Sequence, residues 1–264
     1  VKIMDLSSIL FAVIEKEEPG STNYIIADYI IKNSQDLDNI STVELAKACN
    51  VSKASISRFC RKIGLEDFLA LKILIRSYKP GKTVSQKYSF KQTTDDDVIN
   101  FIDESIDKMT LLKKHLDRTL LNEITQDINK YQRVYLMGLQ QSAGIMISLA
   151  NDLMTFKKYA FAIMEPKKIN QILKNATDQD LIIVFSATGS FFEKILPRKN
   201  IINKNNPPRI YLITTIKTDI YSFVYKNIFL DDEYNFSSNL LLNIYASLIA
   251  INFKNLYQKS LTNI

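Results

Sequence analysis

From Val134 onward the chain alternates short, almost wholly apolar runs with segments long enough to be helices, and this alternation limits the fold more than any other feature. The runs are VYLM (Val134 to Met137), YAFAIM (Tyr159 to Met164), LIIVF (Leu181 to Phe185), IYLIT (Ile210 to Thr214) and NIFL (Asn227 to Leu230). A strand with one wet face alternates apolar and polar residues, whereas a strand covered on both faces reads as a continuous apolar run. Helix-length segments separate the runs at 143–157, 166–176 and 191–202, and a last one starts near Ser238. The pattern predicts an α/β domain with a parallel five-stranded sheet flanked by helices.

Ligands of open α/β sheets sit beyond the carboxyl ends of the strands. Two predicted strands end there in loops suited to an anion: GLQQSAG (Gly138 to Gly144) and SATGS (Ser186 to Ser190). Backbone N–H groups and the positive end of a following helix would point at a phosphate, with small hydroxyl residues beside them. Either loop alone is ordinary connection chemistry. Together, at corresponding strand ends, they make a candidate phosphate-binding site of Gly138, Gln140, Gln141, Ser142, Ser186, Thr188, Gly189 and Ser190.

The first third of the chain is patterned differently. In STVELAKACNVSKASISRFCRK (Ser41 to Lys62), Ser41 and Glu44 have capping-box spacing, Asn50 suits the turn that ends a short helix, and Ser52 can cap the next. On a wheel of about 100° per residue, Ile56, Phe59, Cys60 and Ile63 lie within roughly 60° of one another and form an inward face. Ala54, Ser57, Arg58, Arg61 and Lys62 fall opposite, with Lys53 and Ser55 at the flanks. Small residues permit close approach to base edges, arginine can bind guanine bidentately and lysine can neutralise phosphate. The candidate DNA-binding set is therefore Ser52, Lys53, Ser55, Ser57, Arg58, Arg61 and Lys62. Charge distribution agrees: ten cations balance ten acids from Val1 to Arg76, yet four of the cations lie between Val51 and Lys62 with no acid among them.

With STNYIIADYIIKN (Ser21 to Asn33) and ISTVELAKACNVSKASISRFCRKIGLEDFLALKI (Ile40 to Ile73), the chain resembles the N-terminal domain of RpiR-type (MurR/RpiR) bacterial transcription regulators. The resemblance implies that this domain binds double-stranded operator DNA within a dimer. It also implies that the remainder is a sugar-isomerase-like (SIS) domain that senses a phosphorylated sugar. SIS domains carry a G-x-G-x-S-type loop after the first strand and an S-x-S-G-x-T-type loop after the third. This chain keeps Gly138, Ser142, Ser186 and Gly189, but has Gln140 for the second glycine, Thr188 for the middle serine and Phe191 for the closing threonine. EYNFSSN (Glu233 to Asn239) stands where such regulators carry an arginine. Phe191 thus removes one donor, and Phe191→Thr is expected to tighten phosphosugar binding.

The organisation expected is a helix-turn-helix domain over 1–76, a linker over 77–96, and an SIS-like effector-binding and dimerisation domain over 97–264. Pro80, Gly81 and a run of polar residues mark the linker, and Lys79, Lys82, Lys87 and Lys91 make it basic. A helix is expected from Asp97, capped by Thr94 or Asp95 and continuing towards Leu121, with Val98, Phe101, Ile102, Ile106 and Met109 at helical spacing. The two cysteines, Cys49 at the turn and Cys60 on the inward face, are expected to be reduced thiols in a cytoplasmic protein, with Cys60 a packed core thiol. The apolar stretch Leu240 to Phe253 is too short and too interrupted to cross a membrane.

The reading is a transcription regulator with no catalytic residues. Aldose–ketose isomerisation needs a positioned base; the single histidine, His115, falls on the helix before the sheet, and Glu165 and Glu193 form no acid/base pair. No Cys/His cluster, Walker pattern or GxGxxG is present, so neither metal nor cofactor is expected. The expected partners are operator DNA, a small phosphosugar and a second copy of the chain. A non-DNA sensor or oligomerisation protein on an SIS scaffold is the alternative, and a sugar-phosphate isomerase the remote one.

Overall fold

Ser21, Ser41 and Ser52 start three successive helices by the same means: each side-chain oxygen accepts an N–H, from Tyr24, Glu44 and Ser55 respectively, that the first turn leaves without an internal partner. The computed structural model describes residues 6–77, 95–139, 142–195, 205–217, 221–231, 233 and 235–262. The chain divides into two compact units, Val1–Gln86 and Lys87–Ile264.

Among the described residues the first unit is all-helical: α1 (Leu6–Lys16), α2 (Thr22–Asn33), α3 (Thr42–Ala48), α4 (Lys53–Lys62) and α5 (Phe68–Ser77). The capping box closes at both ends, because Ser41 N–H also donates to Glu44 Oε2 at 2.8 Å. Asn50 adopts φ 51°, and Val51 N–H reaches back to the Ala46 carbonyl at 2.9 Å, so α3 ends in a left-handed turn that aims the chain into α4. Gly64, at φ 87°, ends α4 in the same way. Ile26, Ile30, Leu45, Ile56, Phe59, Cys60, Leu71 and Ile75 meet in a fully buried core.

The second unit begins with α6 (Asp97–His115) and α7 (Arg118–Lys130). It continues through β1 (Arg133–Gly138), α8 (Ala143–Thr155), β2 (Phe161–Ile163), α9 (Pro166–Asn175), β3 (Asp180–Ser186), α10 (Phe191–Ile195), β4 (Arg209–Thr214), β5 (Lys226–Phe229) and α11 (Ser238–Thr262). The five strands are all parallel, in the order β2-β1-β3-β4-β5. Successive residues of each strand face opposite layers. Leu136, Ile183, Phe185, Tyr211 and Ile213 pack under α7, α8 and α11, while Met137, Ile182, Val184, Ile210 and Leu212 pack against α9 and α10.

Three expectations are corrected. The helix from Asp97 is capped by Asp96, whose carboxylate accepts from Val98 and Ile99, and it stops at His115. Leu116 is extended (ψ 113°) and Asp117 caps a separate α7, because its carboxylate takes the Leu120 N–H and makes a better start there than a continued helix allows. The second strand is shorter than the apolar run, 161–163 instead of 159–164, as suits an edge strand paired on one side. Thr94, linker residues 78–94 and the end of the expected 191–202 helix lie outside the described residues.

Candidate functional site

The wheel of α4 is realised in the fold. Ile56, Phe59 and Cys60 are fully buried, while Lys53, Ala54, Arg58, Arg61 and Lys62 are exposed and Ser55 and Ser57 half-buried; Ile63, expected on the inward face, is the C-cap beyond the helix and packs half-buried against the same core. The polar side chains of that outer face are held locally. Ser52 and Ser55 hydroxyls lie 2.9 Å apart, Arg58 donates to Ser55 Oγ at 3.3 Å, and Arg61 Nε donates to the Ser57 carbonyl at 3.4 Å. Lys62 differs: its ammonium pairs with Glu17, just beyond α1, and this contact together with Asn23 and Ser21 holds the Glu17 carboxyl below its usual range. The outward stripe, tied only within its own helix and cap, is therefore Lys53, Ser55, Ser57, Arg58 and Arg61, with Lys62 drawn to its edge.

In the sheet, β2 lies on one side of β1 and β3 on the other, so connections leave the carboxyl ends of β1 and β3 in opposite directions. That is the switch point where open α/β sheets bind ligands. Both hydroxyl-bearing loops meet there. Gly138 pairs with Phe185 in the ladder, and a Cβ on Gly138 would come within 2.8 Å of Ser142 Cβ and 3.0 Å of the Phe185 carbonyl, so only glycine fits. Ser142, buried, donates its hydroxyl proton to that same Phe185 carbonyl at 3.1 Å, fastening the first loop to the end of β3. Gly189 turns the second loop at φ 64°, with its N–H on the Ser186 carbonyl at 3.0 Å. Thr188 and Ser190 hydroxyls lie 2.6 Å apart, and Thr215, after β4, donates to the Ala187 carbonyl at 2.7 Å.

Two features are left open. The Ser186 hydroxyl has no partner among the described residues, and a Cβ built on Gly144, in the first turn of α8, would meet nothing within 4 Å. The first-turn N–H groups of α8 have no partner within the helix and lie at the positive end of a 13-residue helix. Neither loop contains a charged residue, so attraction for an anion comes from these N–H groups and hydroxyls. Gln140 and Gln141 lie outside the described residues. Phe191 is 1% exposed and meets Phe192 edge-on at 5.1 Å, packed into the layer under α9 and α10. Its place as a substitute for a ligand-facing threonine is corrected accordingly: the ring serves the core.

Residues 16–79 match the family model described as helix-turn-helix domain, rpiR family. The N-terminal unit is an rpiR-family domain. An uncharacterised HTH-type transcriptional regulator of Caldanaerobacter subterraneus is 37% identical over 112 residues, which are 40% of this chain and 39% of the relative. The HTH-type transcriptional regulator HexR of Pseudomonas aeruginosa is 25% identical over 166 residues, 62% of this chain and 58% of the relative. The chain thus spans only 39% and 58% of these curated relatives. Among solved structures, the NanR protein of Vibrio vulnificus complexed with ManNAc-6P superposes with a TM-score of 0.55 at 18% identity, covering 98% of this chain and 96% of that one. That likeness is one of fold: a helical N-terminal unit followed by the five-stranded parallel sheet.

Several residues that shape the rpiR-family domain and the loops are invisible to motif reading. Glu17 carries no signal of its own, since its partner is 45 positions away. Thr215 could be suspected only as the second threonine after an apolar strand. Cys49 and Cys60 are buried, and burial pushes both thiols up to about 11, which keeps them protonated and suits packing. His115 is exposed at the end of α6, Glu165 is the first cap position of α9 and Glu193 lies on α10. At the amino ends of the strands, Arg133 grips Asp180 bidentately at 2.5 and 3.0 Å. Tyr211 donates to Asp127 at 2.6 Å, with Arg209 Nε 3.1 Å from the same carboxylate. These contacts tie strands and α7 together at the end opposite the loops.

Proposed function

We propose that the chain is a transcription regulator whose rpiR-family unit reads duplex DNA through α4 and whose α/β unit binds a phosphorylated sugar and assembles into at least a dimer. The observation that supports it most is the outer face of α4: a capped, rigid helix presenting Lys53, Ser55, Ser57, Arg58 and Arg61 with no acid among them. Two such helices on a dimer would meet major grooves about 34 Å apart, so the operator is an inverted repeat spaced by one turn or a small multiple. A specific site selected from a random duplex pool should be bound with steep salt dependence. Salt-insensitive binding, or equal affinity for every duplex, would refute the reading.

For the effector, the phosphate sits at the N-terminus of α8 on the N–H groups of the first turn, with the Ser186 hydroxyl and the Thr188–Ser190 pair beside it. Gly138 and Ser142 hold the two loops at the right separation. The complex of NanR with ManNAc-6P supports this ligand class for a protein of the same fold. The chain acts as a regulator and not as an isomerase in this reading, which the HTH-type transcriptional regulators among its relatives support. A ligand that binds only the folded state raises its melting temperature. A thermal-shift panel of sugar phosphates is the direct check, and no shift with any member would remove the sensor from the proposal.

A further inference from the structure

Helix α6 is amphipathic with its faces largely reversed. Against its own domain it buries Asn100, Ser105 and Lys108, at 1, 6 and 9% exposure, together with Leu112 at 9%, and Phe101 meets Phe236 edge-on at 4.7 Å. Lys108 and Ser105 are made tolerable there by a polar network: Lys108 pairs with Asp231 and lies 3.7 Å from Glu104, Asn235 donates to Glu104, and Ser105 donates to the Phe101 carbonyl at 2.7 Å and approaches Ser237 at 3.5 Å. Outward it presents Val98, Ile102, Ile106 and Met109, at 68, 46, 51 and 37% exposure, with Ile99 beside them. A helix that completes its packing within one domain turns its apolar stripe inward. A stripe turned outward over three turns marks a surface made to be covered.

The charges say by what. Asp95, Asp96 and Asp97 stand at the start of α6 and Lys113, Lys114 and His115 at its end, all exposed. On the wheel, Lys113 continues the apolar stripe, and Asp103, Asp107 and Lys114 run along one flank. Turned end for end about Ile106, the helix complements itself: Ile102 faces Met109, Val98 faces the aliphatic stem of Lys113, and the acidic end meets the basic end. A parallel pairing would instead stack acid on acid and cation on cation. Antiparallel pairing also opposes the two helix dipoles favourably. We infer that this stripe is the seam of a homodimer, in which α6 packs antiparallel on α6 of a second copy about a two-fold axis near Ile106. The seam is isologous, so each copy uses the same surface. This deepens the dimer reading above by naming its surface.

Cross-linking of the full chain tests it, because Cys49 and Cys60 are buried and leave a quiet background. With diamide as oxidant, Ile106→Cys should form a disulfide-linked dimer within the sedimenting dimer. Val98→Cys alone should not link, but a mixture of Val98→Cys and Lys113→Cys chains should. Ile106→Glu should sediment as a monomer with the wild-type far-UV circular dichroism, since the side chain is half exposed, and its melting temperature should no longer rise with protein concentration. A wild-type dimer that survives Ile106→Glu and gives no link at 106 would overturn the seam and leave the dimer reading standing. A wild-type monomer would overturn both, and self-linking at Val98 as efficient as at Ile106 would overturn the antiparallel arrangement.

Discussion

Helix α4 and the loops at the β1–β3 switch point both bring small polar residues forward, yet they hold them in opposite ways. On α4 the hydroxyls and guanidiniums are braced within the helix itself, Arg58 on Ser55 and Arg61 on the Ser57 carbonyl, and the outer face stays presented to solvent. In the loops the hydroxyls reach across to other segments: Ser142 to the end of β3, Thr215 to Ala187. Some of the residues that look like ligand donors are therefore the fasteners that set the site's shape. A helix separates packing from function by face, whereas a loop site can ask one side chain to do both.

The largest expected effect tests the loop side of that contrast. Phe191→Thr, which would tighten binding if residue 191 faced the ligand, removes a ring that is 1% exposed and should cost about 3 kcal/mol of stability, read as a fall in melting temperature. A stable variant with stronger phosphosugar binding would show that the ring does not serve the core. Next, Arg58→Ala should weaken operator binding by on the order of 1 to 3 kcal/mol at fixed salt while leaving the melting temperature alone; retained affinity in a gel shift would remove Arg58 from the interface. The two serines should then part company. Ser142→Ala is expected to lower stability by about 1 to 2 kcal/mol, because it leaves the Phe185 carbonyl without its donor, whereas Ser186→Ala should spare stability and weaken phosphosugar binding by about 1 kcal/mol. Titration calorimetry paired with thermal melts decides, and identical behaviour of the two would erase the distinction between fastener and ligand donor.

Smaller effects sharpen the same comparison. Glu17→Gln releases Lys62 from its ion pair, and a freed ammonium should add about one to the slope of log affinity against log salt. An unchanged slope would mean that Lys62 stays off the phosphates. At the amino end of the sheet, burial raises the Asp180 carboxyl, but Arg133 and the Thr177 N–H outweigh it, so its folded pKa is below the ordinary value near 4. A lowered carboxylate stabilises the fold above the ordinary value and loses that contribution as pH falls through the folded one. Wild type should therefore lose stability more steeply than Arg133→Leu as pH falls below the ordinary carboxylate value near 4. Parallel acid limbs in urea denaturation would count against the pair; Arg133 is about half exposed, so the difference is small.

Local chemistry made much of the molecule legible. The serine caps, the capping box at Ser41 and Glu44, the left-handed turn at Asn50 and the inward face of Ile56, Phe59 and Cys60 all follow from interactions within four residues, which a linear reading can see. The continuous apolar runs likewise announce strands covered on both faces, because each strand's burial is written in its own residues. What the sequence alone could not decide is which segments become neighbours. The strand order that puts the switch point between β1 and β3, the proton of Ser142 on a carbonyl 43 residues away and the pairing of Glu17 with Lys62 arise only when distant segments meet. So do the inward turn of Phe191 and the reversed faces of α6, since apolar spacing says that a helix has an apolar stripe and not what lies against it. Periodicity is a property of the chain, and partnership is a property of the fold.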